Sequence, residues 1–135
     1  MLDIPLRGVR AVHVDDDEEH RELFRVALER RGAEVTSFES VTAALEALEN
    51  QTDVDVIVSD IAMPLRDGFA LVSGVRALAR HDRVPVIALS AFSAPADRAR
   101  ALRAGFDEHL SKSTCLNSLA ATIAATIARG RGGEG

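Results

Sequence analysis

Three aspartates stand directly after runs of apolar residues. Asp15 and Asp16 follow the stretch 9–14, and Asp60 follows the stretch 54–59, which is rich in valine and isoleucine. Carboxylates that lie close together repel one another and raise each other's pKa unless a cation neutralises them. Oxygen ligands suit a hard divalent ion, and Mg²⁺ is the usual one in cells. If the fold brings these three acids together, the sequence predicts a Mg²⁺ site.

Two other polar side chains follow predicted strands further along the chain. Ser90 follows the stretch 84–89, and Lys112 follows the stretch 107–111. A hydroxyl and an ammonium group beside a bound metal ion can hold an anion, and a phosphoryl group suits such a set. Each also has a plainer interpretation, since a hydroxyl at a strand end often only satisfies a turn and a lone lysine is usually solvated.

The spacing of apolar residues alternates between that of strands and that of helices. Because each parallel crossover needs a helix, five strands alternating with five helices predict a parallel sheet covered on both faces. We expect a single doubly wound, flavodoxin-like α/β domain of strand order 2-1-3-4-5, whose switch point between the first and third strands gathers the three acids. Asp17 and Asp67 are the expected N-caps of the first and third helices. The predicted strands cover 9–14, 33–38, 54–59, 84–89 and 107–111, and the predicted helices cover 18–31, 41–48, 69–78, 95–104 and 116–127.

Length and composition indicate one globular domain. The chain has 135 residues, of which 47% are hydrophobic and 27% charged, and a chain of this size can bury a core without disulfides or metals. We expect the domain to cover 9–128, with a lead-in or linker at 1–8 and a flexible tail at 129–135. The single cysteine, Cys115, is expected to be a small buried residue of the last helix.

Charge and hydropathy exclude several classes of protein. The net charge of −5 offers no basic stripe to neutralise phosphates, which argues against nucleic-acid binding. No apolar run approaches the roughly 18 residues of a membrane span, and the N-terminus lacks the apolar core of a signal peptide. The expectation is a soluble, cytoplasmic protein that binds neither nucleic acid nor membranes.

Several of these positions, taken together, resemble the receiver domain of two-component response regulators, the family of the chemotaxis response regulator. The resemblance extends over 9–127, and the motif positions fall in the family's order at the family's strand ends. It rests on Asp15-Asp16, on the segment Asp60-x-x-Met63-Pro64-x-x-Asp67-Gly68, on Ser90-Ala91 and on Lys112.

The resemblance implies a role for each acid. Asp60 would accept a phosphoryl group from a phosphohistidine on a histidine kinase or a histidine phosphotransfer domain. Asp16 would bind Mg²⁺ directly, Asp15 would bind it directly or through water, and the backbone carbonyl of Ala62 would complete the protein ligands. Such a domain is a signalling phosphoacceptor, whose only catalysis is its own phosphotransfer and dephosphorylation.

The resemblance also implies a switch. Lys112 would pair with the phosphoryl oxygens, and Ser90 would donate a hydrogen bond to one of them. His109 occupies the place of a Tyr or Phe that turns inward when the hydroxyl residue moves towards the phosphate; an ordinary exposed strand histidine is the alternative. Ser113 stands where the family usually has a proline joined by a cis peptide bond. Because a non-proline residue disfavours cis by roughly 2.5–4 kcal/mol, we expect a trans bond there.

Two other functions would use the same residues. A Mg²⁺-dependent phosphohydrolase could use the acids, although a haloacid-dehalogenase-like enzyme would have two acids separated by one residue after its first strand. A receiver-like scaffold could bind a partner without being phosphorylated.

In the family, effectors often contact the surface formed by the fourth helix, fifth strand and fifth helix. Arg98, Arg100 and Arg103 make the fourth helix basic on one side, so we expect docking there; a solvated charged face is the alternative.

Overall fold

The computed structural model describes residues 5–50, 53–63, 65–91 and 94–132, with side chains as far as residue 130. Within these ranges, five strands alternate with five helices. All neighbouring strands are parallel and lie in the order β2-β1-β3-β4-β5, which confirms the predicted flavodoxin-like architecture. The strands are β1 (Arg10–Val14), β2 (Glu34–Phe38), β3 (Val56–Asp60), β4 (Val86–Ser90) and β5 (Glu108–Ser111), and the helices are α1 (Glu18–Glu29), α2 (Val41–Asn50), α3 (Gly68–Ala77), α4 (Pro95–Ala104) and α5 (Leu116–Gly132).

The sheet has an apolar core on each face, because successive side chains of a strand point to opposite sides. On β1, Val12 packs into the core covered by α2, α3 and α4, whereas Ala11 packs into the core covered by α1 and α5. The central strands β3 and β4 are buried along their whole length. Burial on both faces is the reason that these two strands read as nearly continuous apolar runs.

Two aspartates fix the starts of the helices that follow β1 and β3. Asp17 Oδ1 accepts a hydrogen bond from the Glu19 N–H at 3.0 Å, and Asp67 Oδ1 accepts one from the Ala70 N–H at 3.1 Å. Both predicted N-caps are confirmed. Because these caps lie within a few residues of Asp15 and Asp60, they also limit the paths of the loops that carry the acids.

The two ends of the domain differ from the sequence prediction. Leu6, in the predicted lead-in, is only 1% exposed and belongs to the core under α1 and α5, and its N–H donates to the Arg31 carbonyl at 2.8 Å. An apolar side chain beside an open core is buried because water is thereby excluded from both. Helix α5 continues to Gly132, past the predicted start of the tail, since extending an existing helix costs less than starting one, even through glycines. Residues 1–4 and 133–135, the rest of these two segments, lie outside the described residues.

Cys115 also differs from the prediction, because it is exposed. Helix α5 begins one residue later, so Cys115 lies before its first turn and outside the apolar stripe. Its Sγ donates to Ser118 Oγ at 3.2 Å. Among the helices of the described residues, none is both long enough and apolar enough to span a bilayer.

Candidate functional site

The carboxyl ends of four strands meet at one edge of the sheet. The register of β1 against β3 sets Asp15, which follows β1, beside Asp60, the last residue of β3. Ser90 is the last residue of β4, and Lys112 follows β5 directly. This is the edge at which doubly wound sheets bind ligands. The sequence prediction that these side chains share one edge is therefore confirmed.

Asp15, Asp16 and Asp60 form an acidic cluster at this edge. Each offers one carboxylate oxygen, and these oxygens all lie within 4.8 Å of one another. Asp15 and Asp60 are 0% and 3% exposed, whereas Asp16 faces solvent. Two buried carboxylates at such short range are unfavourable unless positive charge compensates them.

Lys112 provides part of that positive charge. Its Nζ donates to Asp60 Oδ2 at 2.8 Å and lies 3.7 Å from Asp15 Oδ2. Burial raises the pKa of Asp60, and the hydrogen bond from Lys112 only partly offsets this effect, to which the charge of Asp15 adds. Partial burial would lower the pKa of Lys112, but the hydrogen bond to Asp60 and the charge of Asp15 outweigh it and hold that pKa above its usual value.

Ser113 leaves this arrangement intact. No peptide bond within the described ranges is cis, so the Lys112–Ser113 bond is trans, as the sequence predicts. The Lys112 N–H donates to the carbonyl of Ser90 at 2.9 Å, which ties the start of the β5–α5 loop to the end of β4. Lys112 therefore reaches Asp60 although Ser113 stands where the family usually has a proline.

Asp15 has a set of partners that the sequence reasoning missed. Its Oδ2 accepts a hydrogen bond from His20 Nδ1, its Oδ1 accepts one from the Asp17 N–H at 2.9 Å, and its carbonyl accepts one from Arg21 Nη1 at 2.8 Å. Burial alone would raise the pKa of Asp15, but the bonds from His20 and Asp17 hold it below its usual value. The same bond to Asp15 raises the pKa of His20. Helical side chains point towards the N-terminus of the helix. A histidine in the first turn of α1 could therefore have been expected to reach Asp15.

His13 is a second residue of this region that the sequence reasoning missed. It lies between two valines of β1, is 0% exposed, and stacks on the ring of Phe24 with 3.8 Å between ring centroids. Burial lowers the pKa of His13 to about 3, although the charge of Asp15 acts in the opposite direction. The available signal was a histidine inside an otherwise apolar strand.

The loop between β3 and α3 packs closely against Asp60. A Cβ atom on Gly68 would lie 2.6 Å from the Asp60 carbonyl oxygen and 2.8 Å from Ile61 Cα, so only glycine fits there without a shift. The Gly68 N–H donates to the Ile61 carbonyl at 2.9 Å, and the Ala62 N–H donates to Asp60 Oδ1 at 3.3 Å. Leu65 lies exposed on the loop with a φ of 68°. Pro64 of the motif lies outside the described residues, and the Ala62 carbonyl as a metal ligand remains a prediction.

The two predicted switch residues are both buried. Ser90 is 5% exposed and His109 is 6% exposed. The alternative of an exposed strand histidine is wrong, because the side of β5 that carries His109 packs inward. Its Nε2 has no hydrogen-bond partner among the described residues. The switch role of these two residues remains a prediction.

The surface formed by α4, β5 and α5 is crossed by ion pairs. Arg98 of α4 donates to Glu108 of β5 at 2.9 Å, and Arg129 of α5 lies 3.9 Å from the other carboxylate oxygen of Glu108. Arg100 places its guanidinium carbon 4.5 Å from the ring centroid of Phe69, a cation–π distance. Arg98 and Arg100 thus contact other elements of the domain, and all three arginines on this side of α4 are exposed.

The residues at the carboxyl edge fit a Mg²⁺ ion. The donors are carboxylate oxygens, which Mg²⁺ prefers, and exposed Asp16 leaves room for the waters that this ion retains. One ammonium group beside three carboxylates leaves net negative charge. Burial is the main cause of the raised pKa of Asp60, and the charge of Asp15 contributes to it. A divalent cation would offset that charge.

Comparison with known proteins agrees with this geometry. The family model described as "Response regulator receiver domain" matches residues 11–124. The chain therefore belongs to the receiver domain family of response regulators. A relative from Leptolyngbya boryana, described as an uncharacterised 14.6 kDa protein in the sodA1 3′ region, is 44% identical over 99 residues, which cover 73% of this chain and 75% of that protein.

Two further matches differ in how much of the matched protein this chain covers. The transcriptional regulatory protein PrrA of Mycobacterium leprae is 38% identical over 132 residues, covering 95% of this chain but only 54% of that protein. The chain thus spans about half of that relative. The receiver domain of the sensor histidine kinase PA1611 of Pseudomonas aeruginosa superimposes with a TM-score of 0.81 and 28% identity, covering 90% of this chain and 98% of that one. Its structure has a magnesium ion coordinated in the active site cleft.

Proposed function

We propose that Asp60 is the phosphoacceptor of a two-component phosphorelay and takes its phosphoryl group from a phosphohistidine. A carboxylate oxygen of Asp60 forms a bond to phosphorus while the bond between phosphorus and the donor imidazole nitrogen breaks, and the departing imidazole takes up a proton. The observation that supports this most strongly is the position of Asp60 at the open edge of the sheet, between Lys112 at 2.8 Å and the other members of the acidic cluster.

Asp15, Asp16 and Asp60, with the carbonyl of Ala62, are the residues that would hold Mg²⁺. When bound, the ion supplies positive charge to the carboxylates and to the incoming phosphoryl oxygens. Asp15 is already held in place by its hydrogen bonds from His20 and from the Asp17 backbone. Little reorganisation of the protein is therefore needed at this ligand.

Lys112 and Ser90 are the proposed partners of the phosphoryl group. Before transfer, Lys112 orients the Asp60 carboxylate through Oδ2; after transfer, its ammonium group pairs with phosphoryl oxygens, and the Ser90 hydroxyl donates to another. A phosphoryl dianion next to Ser90 would favour one arrangement of Ser90 and of His109. The surface of α4, β5 and α5 would then change its affinity for an effector.

The proposed role is that of a signalling phosphoacceptor that works with a histidine kinase or histidine phosphotransfer domain in the cytoplasm. It differs from a phosphohydrolase, which would release phosphate from many substrate molecules in turn. In the described residues the acids that follow β1 are contiguous and the proposed nucleophile ends β3, an arrangement that supports the phosphoacceptor.

The test is phosphorylation by a small donor. The protein is incubated with Mg²⁺ and acetyl phosphate, and the intact mass is measured. We expect the mass of one phosphoryl group to be added to the wild type and not to Asp60→Asn. A folded, Mg²⁺-binding protein that gains no phosphoryl group would instead be a receiver-like scaffold, and continuous turnover of phosphoesters would identify a phosphohydrolase.

A further inference from the structure

The buried imidazole of His13 faces Asp15 but forms no hydrogen bond with it. It is 0% exposed, and neither ring nitrogen has a hydrogen-bond partner among the described residues. Its Nε2 lies 3.9 Å from Asp15 Oδ2, which is too far for a hydrogen bond. An unpaired buried polar group costs about 1–3 kcal/mol, so this nitrogen needs a further explanation.

His20 approaches the same oxygen from the other side. Its Nδ1 contacts Asp15 Oδ2, and its ring centroid lies 5.7 Å from that of His13. His13, Asp15 and His20 each offer one ligand atom, and these atoms lie within 4.8 Å of one another. Zinc bonds of about 2.0–2.1 Å set neighbouring ligand atoms of a tetrahedral site roughly 3.3 Å apart. The 3.9 Å between His13 Nε2 and Asp15 Oδ2 is close to this spacing, and the hydrogen bond between His20 and Asp15 would open to admit the ion.

We propose that His13, Asp15 and His20 form a second metal site, which takes a transition metal ion of the Zn²⁺ class. Two imidazoles and one carboxylate are typical ligands for such ions, whereas Mg²⁺ prefers oxygen donors. Three protein ligands leave a fourth position for water. The side chain of His20 is 25% exposed and lines a cleft of about 180 Å³ together with Phe24, Lys112 and Leu119, which gives the ion a path from solvent.

The second site shares Asp15 with the acidic cluster. Lys112 Nζ already lies 3.7 Å from Asp15 Oδ2. If two metal ions also bound to this oxygen, the cations would repel one another strongly. Occupation by Zn²⁺ therefore weakens Mg²⁺ binding. The further consequence, that Zn²⁺ slows phosphorylation of Asp60, rests on the proposed function; the binding of Zn²⁺ does not.

The test measures Zn²⁺ binding by calorimetry in the full chain. We expect one Zn²⁺ per wild-type molecule, and His20→Ala and His13→Leu each to weaken its binding by about tenfold or more. Asp16→Asn should leave Zn²⁺ binding close to that of the wild type while weakening Mg²⁺ binding, whereas His20→Ala should weaken Zn²⁺ binding by a larger factor than Mg²⁺ binding. The matched control is His81→Gln, since His81 is buried elsewhere and contacts the Leu48 carbonyl at 3.0 Å.

Two results would overturn the second site. One is equal Zn²⁺ affinity in the wild type and in His20→Ala, and the other is a Zn²⁺ affinity that falls with Asp16→Asn instead of with the histidine variants. If His13→Leu does not fold, His20→Ala decides alone, because His20 lies on the surface of α1. Absence of phosphorylation in metal-free protein resupplied with Mg²⁺ would count against the proposed function and leave the Zn²⁺ result standing.

Discussion

Lys112 is the only lysine in the sequence, and every other long basic side chain is arginine. An ammonium group is a compact point charge on a flexible stem, whereas a guanidinium is a planar fork. Lys112 places its charge 2.8 Å from Asp60 Oδ2 and 3.7 Å from Asp15 Oδ2. We infer that a point charge between two buried carboxylates is what this position requires.

Replacing Lys112 with alanine should therefore destabilise the protein in the absence of divalent ions. Asp60 and Asp15 would stay buried without their cation. We expect the free energy of unfolding to fall by about 1–3 kcal/mol, between the values for exposed and for fully buried ion pairs. Urea denaturation measures this loss, and added Mg²⁺ should recover part of it. Lys112→Arg is the matched control, since it keeps the charge; equal stability of Lys112→Ala and the wild type would show that the pairing contributes nothing.

At this scale the sequence predicted the acids and the lysine but not the histidines around them. Asp15, Asp60 and Lys112 were predictable because their positions depend only on where strands end and on the direction of the sheet. The contact of His20 with Asp15 depends on the lean of a side chain in the first turn of α1. The stacking of His13 on Phe24 depends on which face of β1 is covered by α1, and neither contact follows from the residue types alone.

At the scale of elements, the position of Asp60 depends on the loop from β3 to α3. It begins at Asp60, passes the exposed Leu65 and ends at the N-cap of α3. Its closure depends on Gly68, whose Cα hydrogen faces the Asp60 backbone at a distance that leaves no space for a methyl group. We infer that this close approach fixes the direction of the Asp60 side chain.

Gly68→Ala tests that inference. The new Cβ would lie 2.6 Å from the Asp60 carbonyl oxygen, so the loop must shift, and we expect a loss of about 1–3 kcal/mol in the free energy of unfolding. Phosphorylation at Asp60 should also slow. Gly130→Ala is the control, because its Cβ would meet Pro85 Cγ only at 3.7 Å and alanine in a helix is favoured over glycine by roughly 0.5–1 kcal/mol. Thermal unfolding that ranks the two variants in the reverse order would contradict this account.

Element types were predictable, and element ends were less so. The alternation of strand and helix spacing identified all ten elements of the described residues, since each helix buries one apolar face and the central strands are apolar on both faces. The strands begin up to two residues later than predicted, at Val56 and Val86 for example, because apolar residues also occupy the approach to a strand. Leu6 was missed because Pro5 and Gly8 are typical of a linker and not of a strand or helix, and only the tertiary fold shows that it closes a core.

Metal binding at the acidic cluster should couple to the stability of the whole molecule. Burial raises the pKa of Asp60, with a contribution from the charge of Asp15, so the ionised carboxylate is held at a cost in the folded state. Asp60→Asn removes that charge. In the presence of a chelator we expect Asp60→Asn to unfold at a higher temperature than the wild type.

Mg²⁺ should reverse this order or narrow the difference. A ligand at a hundredfold excess over its dissociation constant stabilises the folded state by about 2.7 kcal/mol, and the wild type should gain most of that amount. Asp60→Asn should gain much less, because one ligand has lost its charge. Scanning calorimetry with and without Mg²⁺ measures both effects, and an identical Mg²⁺ response in the two proteins would place the ion elsewhere.

The surface of α4, β5 and α5 is where a local change at Asp60 should reach the outside of the molecule. Glu108 bridges α4 and α5 through Arg98 and Arg129, next to buried His109. Hydrogen exchange of the protein with beryllium fluoride, a phosphoryl mimic, should show altered protection in α4 and β5. Asp60→Asn is the control and should show none. Altered exchange confined to the strand ends around Asp60 would favour the solvated charged face over a docking surface.

The central claim is that the phosphoryl group is carried by Asp60 itself, and hydroxylamine tests it most directly. After incubation with Mg²⁺ and acetyl phosphate, hydroxylamine converts an acyl phosphate to a stable hydroxamate with release of phosphate, and peptide mass spectrometry locates the modified side chain. We predict a hydroxamate at Asp60 in the wild type, dependent on Mg²⁺, with none at Asp15 or Asp16. A hydroxamate at another residue, or none in folded protein that binds Mg²⁺, would contradict the account.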